Sequence, residues 1–286
     1  MKCFYHTDLD GECSAAIVLQ EHPYAECIPI NYNDRFPFES IDEGGDVFIV
    51  DFSLQKPGEW RRLMSITPNI VWIDHHKTAI EAAKDEGAWA IQGLRRIDDT
   101  AGCELTWEYF FGMTAPHIVS LVGDWDTWRF NEGDLTRQVH EALEMVRDTR
   151  PASAFWRHMF DEVQPGIETD IESLAKLGDQ ILGKKVVRDA ETITDFGWEV
   201  EFAGHKGVAV NRRCNSQLFA TVAEQFDLWL PCVFDGQQWT VSVYAQNGGD
   251  IDCSAIAKAH GGGGHKYAAG FQCDSLPFTF VRRLKA

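Results

Sequence analysis

The chain has 286 residues, 44% hydrophobic and 24% charged, an ordinary globular composition that predicts one or two packed domains. Its 44 acidic residues against 26 basic ones leave a formal charge of −18. That balance argues against a protein that grips long nucleic acid through its phosphates, a contact that relies on a basic excess. No apolar stretch reaches the length of a membrane span, and Met1 to Gln20 carries charge too early for a secretory signal, so a soluble, cytoplasmic protein with no membrane partner is expected.

Taken in chain order, Lys2–Tyr5 reads as a short strand leading into His6, Asp8, Asp10 and Gly11, followed by a helix over Ser14–Gln20. Further strands are expected at Glu26–Ile30, Val47–Val50, Ile70–Ile73 and Ala88–Ile91, and helices at Pro57–Ser65, Ala101–Phe111 and Ala115–Leu121. Strands alternating with helices predict a parallel sheet covered by helices on both faces. From Arg137 to about Val187 the pattern changes, with helical spacing over Val139–Arg147, Pro151–Val163 and Ile167–Val187. Strands return at Glu199–Phe202, Gly207–Val210, Leu228–Phe234 and Thr240–Ala245, with a helix expected over Asn215–Gln225 and another over Ile251–Ala259. The expected architecture is α/β: a parallel-sheet domain over residues 1–136, a helical connector over 137–194, and a smaller α/β domain with a mixed sheet over 195–286. Eight cysteines without a Cys-x-x-Cys spacing are expected as buried small hydrophobes rather than as a zinc site or disulfide framework.

Four apolar runs each deliver carboxylates or imidazoles just past their ends. Lys2–Tyr5 leads to His6, Asp8 and Asp10; Val47–Val50 to Asp51; Val71–Ile73 to Asp74, His75 and His76; and Ile118–Val122 to Asp124 and Asp126. Open α/β sheets bind ligands beyond the carboxyl ends of their strands, so these segments are expected to form one site. A lone aspartate such as Asp51 ordinarily caps a helix or forms a turn. His6, Asp8 and Asp10, spaced by two along an extended segment, would crowd on one side, an arrangement that a cation relieves. Carboxylates with imidazoles suit manganese, cobalt or zinc, and two such ions can activate a water and stabilise both oxygens of a phosphoryl transfer. Asp51, alone on its loop, is the expected bridge. A second signal is Gly261–Gly264 followed by His265, Lys266, Tyr267, Ala268, Ala269 and Gly270, read as a loop whose backbone amides approach an anion.

These two signals together resemble the DHH phosphoesterase family, named for the triplet at Asp74, His75 and His76, with a glycine motif similar to that of the DHH-associated type 1 domain. That domain accompanies oligoribonuclease, phosphoadenosine phosphatase and RecJ-type exonuclease branches. The likeness runs from His6 to Gly270. It implies His6, Asp8, Asp10, Asp51, His75 and Asp124 as ligands of two divalent ions, typically manganese, with magnesium or cobalt as alternatives. Of the two carboxylates in Asp124-Trp125-Asp126-Thr127, Asp124 is the one expected. It further implies Asp51, Asp74, His75 and His76 as the catalytic set, with His76 near the scissile phosphate, and Gly262, Gly263, Gly264 and His265 as the holders of a nucleotide. Where relatives place an arginine in a Ser-x-Arg context, Val241–Ala245 carries Tyr244, and Arg212 or Arg213 is the candidate to supply that charge.

The expected function is a metal-dependent phosphodiesterase that hydrolyses short oligoribonucleotides or linear dinucleotides, such as pGpG or pApA, to mononucleotides. A 3′-phosphoadenosine 5′-phosphate phosphatase or a cyclic dinucleotide phosphodiesterase is the alternative within the class. A nucleotide-binding sensor without turnover is the alternative from another. Besides the substrate, a second copy of the chain is the one further partner considered.

Overall fold

Strands whose side chains are apolar on both sides have no face to turn to water, so they belong in the interior of a covered parallel sheet. In the computed structural model, which describes residues 1–32, 34–112, 114–145, 148–161, 167–246 and 248–285, the chain divides into two units, Met1–Ile181 and Leu182–Ala286. The first contains β1 (Lys2–His6), α1 (Leu9–Glu21), β2 (Glu26–Ile30), β3 (Val47–Val50), α2 (Glu59–Ile66), β4 (Ile70–Ile73), α3 (Lys77–Lys84), α4 (Gly102–Phe111), α5 (His117–Asp126), α6 (Asp134–Met145) and α7 (Ala154–Met159). The four strands pair in parallel in the order β2-β1-β3-β4.

Alternate residues of these strands feed two cores. Phe4, Val47, Ile49, Ile70 and Trp72 pack with Trp60 and Leu63 of α2 and Ile80 and Ala83 of α3. Cys3, Tyr5, Phe48, Val50 and Ile73 pack on the other face with Ala15 and Val18 of α1 and Leu105 of α4. Because the chain passes from β1 outward to β2 and then crosses to β3, the strand order reverses between β1 and β3. That is the point where the carboxyl ends of a doubly wound sheet leave a crevice for ligands.

Two local expectations are corrected. Ala88–Ile91 does not form a strand: Ala88–Ala90 is a 3₁₀ turn, and strand-like pairing comes just after it, as single parallel bridges of Val71 with Gln92 and Asp74 with Arg95. Gly87 and Gly93, both at positive φ, bracket the segment and break its extension. In the second unit, Asn215–Gln225 forms two 3₁₀ turns, Ser216–Phe219 and Ala223–Gln225, rather than one helix, with the β-branched Thr221 and Val222 between them. The helices between residues 137 and 194 include α6 and α7, which pack on the first unit: Val139, Leu143, Trp156 and Met159 share a core with Leu9, Cys13 and Ile17 of α1. The expected helix ends at Arg147 and Val163 lie outside the described residues.

The long α8 (Ile167–Phe196) contributes residues to both units. Beyond it come β5 (Trp198–Phe202), β6 (His205–Asn211), β7 (Leu228–Phe234), β8 (Trp239–Tyr244), α9 (Cys253–Ala259), β9 (Gly263–His265), β10 (Ala268–Cys273) and β11 (Thr279–Arg283). Their order is β11-β5-β6-β7-β8-β10-β9, and the sheet is mixed, with β6 and β7 parallel and the other neighbours antiparallel. All eight cysteines are free thiols, five of them buried. Among the described residues, no helix is long and apolar enough to cross a membrane.

Candidate metal centre

The carboxyl ends of β1, β3 and β4 bring the polar residues of three segments together. At the end of β1 the chain turns at once into α1, so His6, Asp8 and Asp10 do not lie along one extended segment as expected. Asp8 caps α1, accepting from the Gly11 amide at 3.0 Å, and its other oxygen lies 2.6 Å from His6 Nδ1. Asp10 sits in the first turn of α1, where its two oxygens accept from the Gly102 and Cys103 amides, at 2.8 and 2.6 Å, at the start of α4. Those amides can reach it because residue 102 has no side chain. A Cβ there would stand 2.9 Å from Asp10 Oδ2 and 2.8 Å from Asp51 Cβ.

Asp51, just past β3, adopts left-handed backbone at φ 50° and is 1% exposed. Its Oδ1 lies 3.3 Å from His75 Nε2 and 3.8 Å from His76 Nδ1, while Oδ2 lies 3.9 Å from His6 Nδ1. His75 Nε2 is also 3.6 Å from Asp10 Oδ2 and 3.4 Å from Asp126 Oδ2. Three overlapping groups result: His6, Asp8 and Asp51; Asp51, His75 and His76; and Asp10, His75 and Asp126, the ligand atoms of each lying within 4.8 Å of one another.

Both oxygens of Asp51 and His75 Nε2 are buried without a hydrogen-bond partner among the described residues. Leaving even one such group unsatisfied costs about 1–3 kcal/mol, and more when it is charged. Burial, then the neighbouring Asp10, Asp8, Asp126 and Asp74, push the Asp51 carboxyl well above the ordinary carboxylate range. Burial, then Asp10 and Asp8, push Asp126 up to about 8. Burial alone would raise Asp8 as well, but the hydrogen bond and charge of His6 hold it below the usual value. Orphaned oxygens and one imidazole nitrogen converging on a shared space are the donor set that divalent cations accept. The residues present therefore fit such ions.

Asp74 stands behind this group and is fully buried. Its Oδ1 accepts from the amides of His75 and His76, at 2.8 and 3.1 Å, and from His76 Nδ1 at 2.8 Å, so it fixes the His76 ring. Burial would lower the His76 pKa, but the bond and charge of Asp74 outweigh it and raise the value above that of free imidazole.

The expectation for Asp124 is corrected. It lies in the last turns of α5, not past a strand, and residues two apart on a helix point roughly 200° apart, so only one of Asp124 and Asp126 can face the group. Asp126 does. Asp124 accepts from the Asn131 amide at 2.9 Å and from Thr136 Oγ1 at 2.5 Å, with Arg129 Nε at 3.6 Å. These bonds pin the segment after α5, where Trp128 and Phe130 take left-handed backbone, each at a cost of about 1–3 kcal/mol.

Sequence reasoning missed Tyr32. It follows β2, the strand whose end carries no acidic motif, and a tyrosine there reads equally well as core. Its ring lies 4.9 Å from that of His6 and 5.7 Å from that of His76, and it stacks on Phe52 at 5.4 Å. The hydroxyl is buried without a partner among the described residues, and burial, then Asp51 and Asp74, push its pKa far up.

In the second unit, the glycine run has a structural task that sequence reasoning did not assign. The Gly261 and Gly262 amides close the end of α9 by donating to Lys258 and Ala257 carbonyls, and a Cβ on Gly262 would stand 2.0 Å from the Gly270 carbonyl oxygen. The amides of Gly261 and Gly262 are thus engaged within the protein, contrary to the open anion nest expected of them. Gly263, Gly264 and His265 form the edge strand β9. His265 pairs with Ala268, which pairs with Tyr244, so the three share one cross-strand row. Arg212 donates to Thr192 Oγ1 at 3.3 Å, and Arg213 is exposed.

No protein-family model matches the chain. It is 24% identical over 275 residues to the uncharacterized protein R106 of Acanthamoeba polyphaga mimivirus, a match that covers 90% of this chain and 62% of that protein's length. Among solved structures it is similar to the pGpG-specific phosphodiesterase PggH from Vibrio cholerae, with a TM-score of 0.57 and 14% identity over 96% of this chain and 93% of that one. It is also similar to the DHH domain of a member of the s1p family of ribosomal proteins, with a TM-score of 0.60 and 14% identity over 98% and 82% of the two chains.

Proposed function

We propose that this chain, which has the fold of the DHH-domain proteins, is a phosphodiesterase that uses two divalent ions, manganese first among them, to hydrolyse linear dinucleotides and very short oligoribonucleotides to mononucleotides. The observation that carries the reading is Asp51, a buried carboxylate whose two oxygens, without a hydrogen-bond partner among the described residues, turn toward different imidazoles. His6, Asp8 and one Asp51 oxygen would hold one ion; Asp10, His75, Asp126 and the other Asp51 oxygen would hold the second. Two ions so held supply Lewis acidity, polarising a phosphoryl group and making water a stronger nucleophile at neutral pH.

The protein's own part is positioning and charge. Asp74 locks the His76 ring through Nδ1, and its charge favours the protonated imidazole, which balances negative charge on a phosphate beside it. Asp10 is held by two α4 amides, which fix the carboxylate it presents to His75. In this reading the second unit would hold the nucleotide through the segment Gly262, Gly263, Gly264 and His265, with Arg212 and Arg213 as the cationic candidates.

The formal charge of −18 supports a small substrate over a long strand. Likeness to a phosphodiesterase named for pGpG, along nearly the whole of both chains, supports a linear dinucleotide. The test is a product analysis with manganese over RNAs of two to seven nucleotides, phosphoadenosine phosphate, cyclic dinucleotides and long single-stranded DNA. Preference for two nucleotides is expected. Faster turnover of long DNA, or dinucleotide binding without turnover under any divalent ion, would sink the reading.

A further inference from the structure

We infer that Tyr32 is a further catalytic residue of this site, its hydroxyl donating a hydrogen bond to an oxygen of the reacting phosphate. The inference rests on the phosphodiesterase reading and adds to it a neutral donor outside the acidic and imidazole set.

Tyr32 lies two residues past β2, in the same row of strand ends that presents His6, Asp51 and Asp74. Its ring is held from three directions: stacked on Phe52 with 27° between planes, tilted against His6 at 44°, and edge-on to His76 at 75°. His6 and His76 belong to different ligand groups, and Asp51 is common to both. The ring therefore touches one imidazole of each group, and its position is set before any substrate arrives.

A buried tyrosine kept for packing alone ordinarily finds a partner for its hydroxyl. Tyr32 Oη has none among the described residues, and neither do Asp51 Oδ1, Asp51 Oδ2, Asp74 Oδ2 and His75 Nε2. Of the other orphans at this site, the carboxylate oxygens are acceptors when ionised, and cations bound there would engage the Asp51 and His75 atoms. A phenol has a proton to give and needs an acceptor that arrives from outside. In a phosphodiester reaction that acceptor is a phosphoryl oxygen, on which negative charge develops, and fixed donors aimed at such charge are effective because they need no reorganisation.

The test uses the full chain and Tyr32→Phe, which keeps the three ring contacts and removes one oxygen. Manganese binding by calorimetry is expected to stay within about twofold, and the metal-free variant to melt no lower than the wild type, because the deleted hydroxyl bonds to none of the described residues. Orthovanadate affinity of the manganese-loaded protein is expected to fall by about tenfold or more, and kcat on a linear dinucleotide by about 10²-fold, with a smaller change in KM. Loss of manganese binding would overturn the inference by making Tyr32 part of the metal centre, and unchanged vanadate affinity and kcat would reduce the ring to packing. A wild type that binds no vanadate would overturn it too. If the wild type binds vanadate through Tyr32 yet cleaves no nucleotide, the dinucleotide reading falls and the phosphate contact stands; if cleavage proceeds and the variant is unimpaired, the reverse holds.

Discussion

Asp51 and His75 meet at the centre of the site: Asp51 Oδ1 lies 3.3 Å from His75 Nε2, and both atoms are buried without a hydrogen-bond partner among the described residues. A buried carboxylate oxygen and a buried imidazole nitrogen facing each other are ligand atoms that a shared cation would engage. Asp51→Asn removes the charge and half of the bridge. Manganese bound per chain should fall from two to one or fewer, and dinucleotide hydrolysis by about 10³-fold or more, a loss the size of a disabled electrostatic centre. The metal-free variant should melt no lower than the wild type, since a crowded buried acid has been removed. Metal analysis and thermal melts check this; two ions retained at full activity would contradict it.

Asp124 and Asp126 should separate structure from chemistry. Asp124→Ala strips acceptors from the Asn131 amide and Thr136, and is expected to cost about 2 kcal/mol of stability, read as a lowered Tm, with metal binding largely kept. Asp126→Asn is expected to keep the Tm but weaken manganese binding and lower turnover by about 10²-fold. The opposite pattern would restore Asp124 as the ligand.

The metal-free protein should be less stable as pH rises from about 4 to about 8. In the folded state Asp126 is raised to about 8 and Asp51 is raised as well, so both keep protons that an unfolded chain releases near pH 4. The folded state then binds more protons than the unfolded one across that window, and stability falls with pH. His76, also raised, acts in the same direction, its contribution present below the ordinary histidine value and lost as pH rises through the raised one. Asp8 is lowered, and its contribution disappears only at the acid end. Bound manganese keeps the carboxylates ionised and should flatten the profile, so the rise in Tm on adding manganese should grow with pH. Melts at intervals from pH 5 to 8, with and without chelator, decide it; a flat metal-free profile would count against the crowding.

Asp74 is predicted to act through His76. Asp74→Asn retains an oxygen for the His75 and His76 amides but loses the charge beside the His76 ring. An outer partner of this kind is worth about 10–100-fold in activity, so kcat should fall by that factor while two manganese ions remain bound. Full activity in the variant would remove Asp74 from the catalytic account.

Much of the fold was legible in the sequence because β1, β3 and β4 carry apolar runs, Cys3–Tyr5, Val47–Val50 and Ile70–Ile73, that stop at His6, Asp51 and Asp74. The alternation of strand and helix then placed those ends on one edge. What was not legible turned on side-chain direction. Asp124 and Asp126 are equally polar, and only the helical turn of α5 decides which of them faces inward. Tyr32 carries no motif, since an aromatic ring past a strand is usually core, and the role proposed for it rests on a hydroxyl without a partner among the described residues. The glycines at 261 and 262 stood out at once, but the reason they are needed, close approach to the β10 backbone and the end of α9, depends on a pairing that sequence does not display.

The most direct test of the central claim is the manganese-dependent release of mononucleotide from a linear diribonucleotide by the purified chain, followed by chromatography beside the Asp51→Asn variant. The account predicts two mononucleotides for each dinucleotide consumed, abolished by chelator and lost in the variant. Release that persists under chelation or in Asp51→Asn, or no release with manganese, magnesium or cobalt, would contradict it.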